Sequence, residues 1–533
     1  MNRPLFALLI LLISGVAMAL RCPELELRPL HNDEAVNAIK FRGLWEKGVY
    51  RYDPNEHHGP TIFYATLAWN RLVGAARFVD INETGYRMVT VLFGVGLILL
   101  LPLISDGLGR GATIWAAILT AVSPAMVFYS RYYIHEMLLV WFTFLGLAAS
   151  WRYFQTKRLA WAIVAGIGFG LMQATKETFV MTLAALGGAL VVNLLWETRF
   201  DSPPNGLSSH RPWFSRLQIQ TLWSAIRPLH LAIAVMVWLF VAILLFSSFF
   251  TNPGGPVDSL RTYLPWANRA AGASPHLHPW YYYLARLAWF HERKGPVFTE
   301  TLIPLFAVIG GFAGFSRFRP TRTHGGLLRI LALYAFFLTA IYAVIAYKTP
   351  WCLLSFWHPL ILLAGVGVMT VTCQLRQYWK RWVIYAVTLV AATQLAHQAW
   401  QLDTVFATDQ RNPYIYSQTS TDFLELVERV QAIAKASPYG NHLLLKVMAP
   451  EDDYWPLPWY LRAFDQVGWY GKTPVDPLAP IIIASTRFSS GLEEQKTHTM
   501  IGFFELRPQV FLQVYVEAGL WKSYLANRPQ NAD

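Results

Sequence analysis

Apolar runs of roughly 17–22 residues, the length that crosses the hydrocarbon core of a bilayer, recur from the N-terminus to about residue 400. They fall near 4–20, 87–105, 111–129, 136–153, 159–175, 179–196, 229–250, 298–315, 328–346, 351–370 and 382–399, and predict about eleven membrane-spanning helices. Two long polar interruptions stand out, residues 21–86 and 251–297. After about residue 400 the period changes. Thr419-Ser420-Thr421-Asp422 resembles a capping box and opens a helix with Phe423, Leu426, Val427, Val430 and Ile433 on one face. Strand-like runs follow at His442–Met448 and Pro480–Ala484, and a further helix near Ala518–Leu525. The expected architecture is an all-α polytopic membrane domain over residues 1–400, followed by a small α/β domain over residues 401–533.

Composition agrees. Of 533 residues, 54% are hydrophobic and 14% charged, which excludes an ordinary soluble domain. The net charge of +12 does not imply nucleic acid, because Lys and Arg concentrate in alternate loops. One set holds Arg110; Arg152, Lys157 and Arg158; Arg199, Arg211, Arg216 and Arg227; Arg317, Arg319 and Arg322; and Arg376, Lys380 and Arg381. The positive-inside rule makes that set cytoplasmic and puts residues 21–86, 130–135, 176–178, 251–297, 347–350 and the tail outside a cell membrane. Ala17-Met18-Ala19 resembles a signal-peptidase site, but the first run is read as an uncleaved anchor. Three cysteines, two of them in or beside apolar runs, indicate no disulfide framework.

The first outer stretch, RPLHNDEAVNAIKFRGLWEKGVYRYDPNEHHGPTIFY (28–64), carries the densest candidate chemistry. Asn32 is read as an N-cap, with Asp33 and Glu34 in the first turn, where the helix dipole favours anions. Ala35, Ala38, Ile39, Leu44 and Trp45 give a loosely amphipathic face suited to a membrane surface. Each short outer connection holds one cation: Arg131 in SRYYIHE, Lys176 in ATKETF and Lys348 in YKTPW. Three such cations on one face suggest a shared anionic ligand, although each alone is as well explained by a local partner, such as Glu177 for Lys176. His276, His278, His291 and Glu292, with His57 and His58, have no metal-ligand spacing. YWPLPWYLRAF (454–464) fits sugar stacking, but aromatic clusters are more often core.

The motifs RPLHNDEA, HHGPTIFY, SRYYIHE, ATKETF, HLHPWYYYL, YKTPW, NPYIYSQTSTD and WPLPWYLR, in this order, resemble the GT-C superfamily of polytopic membrane glycosyltransferases. That superfamily includes the protein O-mannosyltransferases and the aminoarabinose transferases. Within it the chain is most similar to the flippase-activity-associated proteins. The resemblance implies a sugar donor carried on a polyprenyl phosphate and a glycan, lipid or protein acceptor at the outer membrane face. It makes Asp33 the indispensable acid. HHGP departs from the His/Lys-Pro-Pro-Leu motif at Gly59, which weakens the carry-over of a role to His58. Arg131 and Glu136 stand where related enzymes contact the donor or a metal.

The expected chemistry is a single inverting displacement. Asp33 serves as base with Glu34 orienting it, and Arg131, Lys176 and Lys348 bind the donor phosphate. His58, Glu136 and His278 are further site candidates. Mg²⁺ or Mn²⁺ on Asp33 and Glu136 is the expected metal, if any. The alternative is a lipid or lipid-linked-sugar flippase, or a non-catalytic subunit of one. Transporters carry repeats and midplane binding groups; here the charges gather at one face and no repeat is visible.

Overall fold

The computed structural model describes all residues except 56–57, 202–226, 267–275, 321, 489–495 and 528–533. His57, Arg211 and Arg216 therefore lie outside the described residues. Helices occupy every one of the apolar runs: α1 (Arg3–Arg21), then, after α2 (Asn32–Lys47) and α3 (Thr61–Leu72) of the first polar stretch, α4 (Glu83–Leu100), α5 (Arg110–Val122) and α6 (Pro124–Ser130). There follow α7 (Glu136–Thr156), α8 (Leu159–Gln173), α9 (Phe179–Trp196), α10 (Pro228–Phe246), α11 (Leu302–Phe315), α12 (Gly325–Val344), α13 (Leu354–Gln374) and α14 (Tyr378–Asp403).

Among the described residues, length and composition qualify seven helices as membrane spans, or eight if the bent pair α5–α6 is one span. This is fewer than the eleven expected, for three local reasons. Pro124 lacks an N–H and starts a new helix, capped by Ser123, at 57° to α5. Helices α8 and α11 are shorter than a full span. Helix α14 carries Lys380, Arg381, His397 and three glutamines along its length. The bundle packs closely where small residues meet. A Cβ at Gly310 would sit 1.9 Å from the Leu363 carbonyl oxygen, and one at Gly367 would sit 1.9 Å from that of Phe306, so α11 and α13 approach backbone to backbone.

The tail forms a five-stranded mixed sheet in the order β2-β1-β3-β5-β4. The strands are β1 (Leu445–Met448), β2 (Val467–Tyr470), β3 (Ile481–Ser485), β4 (His498–Arg507) and β5 (Val510–Glu517). Strand β1 pairs in parallel with β2 and β3, while β5 runs antiparallel to β3 and β4. Helix α15 (Asp422–Lys435) buries Phe423, Leu426, Val427, Val430 and Ile433 on one face, as its periodicity predicts. Helix α16 (Ala518–Asn527) closes the chain's described part.

This unit clasps the first polar stretch. Leu457, Trp459 and Leu461 are buried, and Trp459 meets Tyr86 edge-on at 6.2 Å between centroids. The Tyr460 hydroxyl accepts from the Leu30 N–H (2.9 Å) and donates to Glu83 Oε1 (3.0 Å). Arg462 donates to the carbonyls of Val79 and Ile81. Residues 457–462 are thus a core clamp, which settles the role of that aromatic run in favour of packing. Most of the apolar face of α2 is likewise covered by protein rather than lipid: Ala35, Ala38, Leu44 and Trp45 are buried, as is Phe41, while Ile39 is half-buried.

Candidate active site

The site begins at the start of α2. His31 has an extended backbone and is the N-cap; Asn32 is already helical. The His31 Nδ1 accepts from the Asp33 N–H (3.1 Å), and Glu34 Oε2 accepts from the His31 N–H (2.9 Å), completing a capping box. The expected cap at Asn32 is therefore one residue off, because an imidazole takes the place of the usual hydroxyl or amide. An imidazole that accepts at Nδ1 and stays neutral carries its proton on Nε2, and there it donates to the Tyr416 carbonyl (2.9 Å). Burial keeps His31 below the ordinary histidine range.

The two adjacent acids part company. Glu34 is fully buried. It receives Arg87 Nε and Nη2 at 2.8 and 2.7 Å, and the Tyr133 N–H at 2.9 Å. Burial opposes its charge, but the guanidiniums of Arg87 and Arg28 hold it down at about 2. Every lone pair has work in the fold, so Glu34 ties α2 to α4 rather than orienting Asp33. Asp33, by contrast, is half-buried, and no hydrogen bond or ion pair engages its carboxylate among the described residues. Its charge acts on His31, His276 and Tyr416.

Three distant segments close around it. Residues 276–278 and 346–348 run antiparallel, with the Lys348 N–H donating to the His276 carbonyl (2.9 Å) and the His278 N–H to that of Ala346 (3.0 Å). Residues 412–419 pass below: Gln418 donates to the Pro29 carbonyl and Thr419 to that of Leu30. Trp351 lies 5.6 Å from the His31 ring and 6.0 Å from Tyr416. RPLHNDEA, HLHPW, YKTPW and NPYIYSQTS thus meet at one place, although they are far apart in the chain.

The three cations are engaged differently. Arg131 donates to the carbonyls of Arg21, Pro23 and Glu24 and lies 3.4 Å from Asp403. Its guanidinium is spent on the end of α1, so the expected shared phosphate site loses one member. Lys176 is buried in an ion pair with Glu136, not with Glu177. Burial disfavours its charge, but the Glu136 carboxylate holds its pKa above the ordinary value. Lys348 differs from both. It is 1% exposed, and among the described residues its Nζ donates to the carbonyls of His278 and Ile345. Burial lowers its pKa, yet no carboxylate neutralises it among the described residues.

Beside Lys348 stands His278, a candidate from the sequence, with Tyr282 and Arg286, to which sequence assigned no role. His278 stacks on Tyr282 (4.1 Å, 15°), and the Arg286 guanidinium lies 4.4 Å over the same ring. His278 Nε2 and Arg286 Nε are buried with no hydrogen-bond partner among the described residues. Arg286 Nη1 donates to the Pro413 carbonyl, but Lys348 and Arg286 meet no carboxylate among the described residues, and such a cluster suits anionic oxygens.

A second cluster braces the first. His58 Nδ1 pairs with Glu177 Oε2 (2.7 Å), and its ring stacks on Trp266 (5.7 Å). The departure at Gly59 has a steric cause. A Cβ there would lie 2.1 Å from the Ala174 carbonyl oxygen, while the Gly59 N–H donates to Thr175 O and its carbonyl accepts from His135 Nε2. His58 and Glu136 thus hold loops together. For the expected metal, no three His, Cys, Asp or Glu side chains gather among the described residues. Glu136 is already balanced by Lys176, so the pair Asp33–Glu136 does not form a ready carboxylate site.

The dolichyl-phosphate-mannose-protein mannosyltransferase family matches residues 62–251, less than half of the chain. No curated protein matches it by sequence. Among solved structures, ArnT from Cupriavidus metallidurans bound to undecaprenyl phosphate superposes with a TM-score of 0.62 at 15% identity, over 97% of this chain and 98% of that one. The archaeal oligosaccharyltransferase AglB from Archaeoglobus fulgidus, in complex with an inhibitory peptide and a dolichol-phosphate, gives 0.55 at 11% identity, over 99% and 75%. The chain therefore shares the fold of these structures over nearly its whole length.

Proposed function

We propose that this protein is a membrane glycosyltransferase. It moves a sugar from a polyprenyl-phosphate carrier to a glycan, lipid or protein acceptor at the outer face of the cell membrane, with inversion. The observation that carries the reading is an unengaged carboxylate, Asp33, and a buried lysine with no carboxylate partner, Lys348, on segments that converge among the described residues. The fold shared with a structure holding undecaprenyl phosphate and another holding dolichol-phosphate supports a lipid-phosphate donor. The narrower kinship with flippase-activity-associated proteins belongs to this reading too.

In the reaction, the acceptor oxygen attacks the anomeric carbon from the side opposite the phosphate. Its proton passes to Asp33 as the new C–O bond forms. The bond to the phosphate oxygen breaks, and its electron pair stays on the phosphate, where Lys348, with His278 and Arg286, stabilises the added charge. Lys176, neutralised by Glu136, acts at a distance, and Arg131 holds the scaffold. Mg²⁺ or Mn²⁺ would have to be held by Asp33 with the donor's own phosphate oxygens, since Glu136 is committed; no step above passes through it. The loop positions of Asp33, His278 and Lys348, outside the long apolar helices, support this reading over a transporter, whose binding groups lie at the midplane.

Two measurements test this arrangement. Lys348→Met is expected to weaken binding of a polyprenyl-phosphate sugar about 10- to 100-fold, the worth of one charge-assisted contact, with the melting temperature little changed. Unaltered binding removes Lys348 from the donor site. For sidedness, single cysteines replacing Glu46 and Lys472, in a chain with Cys22, Cys352 and Cys373 changed to Ser, should both react with an impermeant reagent in intact cells. Reaction of only one before permeabilisation would refute a common outer face.

A further inference from the structure

The outer segment 277–289 has two faces of opposite character. Pro279 opens a turn, with the Tyr282 N–H bonded to its carbonyl (3.1 Å). The short helix Tyr282–Ala288 follows, and it stops where Trp289 turns extended and Phe290 pairs with Phe298. Tyr282, Tyr283 and Leu287 are buried, and Arg286 lies over the Tyr282 ring, so this inward face carries the cluster that includes His278. The opposite face is made of Leu277, Trp280, Tyr281, Leu284 and Trp289, which are 41–66% exposed. Ala285 and Ala288 complete it, and no residue exposed between 277 and 289 is charged. Charge returns only at Glu292, Arg293 and Lys294.

A contiguous uncharged face rich in Trp, Tyr and Leu marks a contact surface rather than a water-facing one. What covers it follows from its neighbours. The Glu300 N–H donates to the Leu287 carbonyl (2.7 Å), which joins the segment to the outer end of α11. The His278 N–H, bonded to Ala346, joins it to the outer end of α12. Both helices turn apolar side chains outward: Leu305 and Val308 on α11, Phe336 and Val344 on α12. Helix α12 is long and apolar enough to cross the bilayer, so the exposed face of 277–289 continues a lipid-facing surface. Depth agrees. Helix α11 has 14 residues, about 21 Å at 1.5 Å per residue, against about 30 Å for the hydrocarbon core. Arg317 and Arg319 follow its other end and keep that end at the cytoplasmic boundary. The short helix bonded to its outer end therefore sits at or below the outer headgroups, where Trp and Tyr are favoured.

We infer that residues 277–289 are a membrane-inserting arm whose partner is the outer leaflet of the bilayer: Trp280, Tyr281 and Leu284 enter the boundary between headgroups and acyl chains, while the reverse face holds His278 and Arg286 at the depth of the lipid phosphates. An amphipathic helix lying in the interface buries its apolar face about 5–10 Å, and no charge on the outer face of this one opposes that. The consequence for substrate rests on the glycosyltransferase reading. A polyprenyl-phosphate sugar dissolved in the leaflet meets Lys348, His278 and Arg286 from the side, without its phosphate leaving the headgroup plane. Preference for a membrane-resident donor over a soluble one with the same head is then a property of the arm, not of the phosphate contacts.

Depth is measured first, in the full-length chain with Cys22, Cys352 and Cys373 changed to Ser. Trp280→Cys and Leu284→Cys, each carrying an environment-sensitive fluorophore, are compared with Lys472→Cys in the tail, in phosphatidylcholine vesicles free of polyprenyl lipid. Lipids with a nitroxide high on the acyl chain should quench both arm positions at least about threefold more than the tail position, and aqueous iodide at least about threefold less, because the interface excludes the ion. Iodide access equal to that of the tail would overturn the assignment. So would protection from both quenchers, which means a protein cover, or nitroxide quenching that appears only once polyprenyl phosphate is added, which means the donor's own chain. The consequence is read by binding. Trp280→Glu combined with Leu284→Glu should weaken binding of a long-chain polyprenyl-phosphate sugar in vesicles about tenfold or more, since carboxylates oppose insertion, and leave binding of a short-chain soluble analogue in detergent within about threefold. Equal loss of both ligands, or of neither, would refute the lateral route. Depth requires neither donor nor turnover, so a protein that transfers no sugar would still show the arm in the leaflet, and an arm found in water would leave the transferase reading standing.

Discussion

Asp33→Asn is expected to lower turnover roughly 10²–10⁴-fold, the loss that follows removal of a general base, while leaving the fold almost untouched. Asp33 is the second residue of α2, and its side chain engages no partner among the described residues. Its structural contribution is the attraction of a carboxylate to the helix N-terminus, about 0.3–1 kcal/mol, and the cap at His31 uses only its backbone N–H. The amide keeps the shape but neither carries charge nor accepts the acceptor's proton. Melting temperatures of parent and variant should agree within a few degrees, and donor binding should persist. Sugar transfer from a lipid-linked donor, measured on both purified forms, should then separate them by orders of magnitude. Equal rates would take Asp33 out of the mechanism.

Its neighbour behaves in the opposite way. Glu34→Gln should destabilise the protein by about 3–5 kcal/mol, because it leaves Arg87 buried without its counter-charge. Arg87 also donates to the carbonyls of Leu25, Arg28 and Pro29, so the whole approach to Asp33 loosens. Replacing both, as Glu34→Leu with Arg87→Met, should recover part of the loss, since a matched apolar pair leaves no buried charge. The pH dependence has a definite sign. With a folded pKa of about 2 against an ordinary 4.5, Glu34 contributes its full stabilisation above about pH 4.5. That contribution declines as the pH falls toward 2. Thermal unfolding of parent and Glu34→Gln in detergent should therefore converge at acid pH and diverge near neutrality. A Glu34→Gln protein of parental stability that fails only in catalysis would reinstate Glu34 as an active-site acid.

The fold was legible because membrane helices write themselves as long apolar runs, and α15 as a clean amphipathic period. The number of spans was not, since Pro124 splits one run and α8, α11 and α14 fall short in length or apolarity. Strands β2, β4 and β5 escaped notice for want of pattern. Val467–Tyr470 is four residues with a glycine, and β4 opens on largely exposed residues, Met500 among them, and shifts register at Gly502. In the site, Asp33 and Lys348 stood out as charges in sparingly charged segments. Arg131 and Lys176 stood out equally, and only the fold distinguishes them: one is consumed by the carbonyls after α1, the other by Glu136. Nothing in a single sequence tells a paired buried cation from an unpaired one. Tyr416 and His276 were invisible as a pair because their contact depends on three loops converging over 140 residues of separation.

The central claim is that this membrane protein makes a glycosidic bond rather than moving a lipid. The most direct measurement reconstitutes the purified full chain in vesicles with a polyprenyl-phosphate sugar labelled in the sugar, adds an acceptor extract outside, and analyses both label and lipid. The account predicts that label appears on an acceptor with inverted anomeric configuration, that free polyprenyl phosphate accumulates in step, and that Asp33→Asn abolishes both. Labelled lipid that changes leaflet with its sugar still attached, at the same rate in parent and Asp33→Asn, would contradict it.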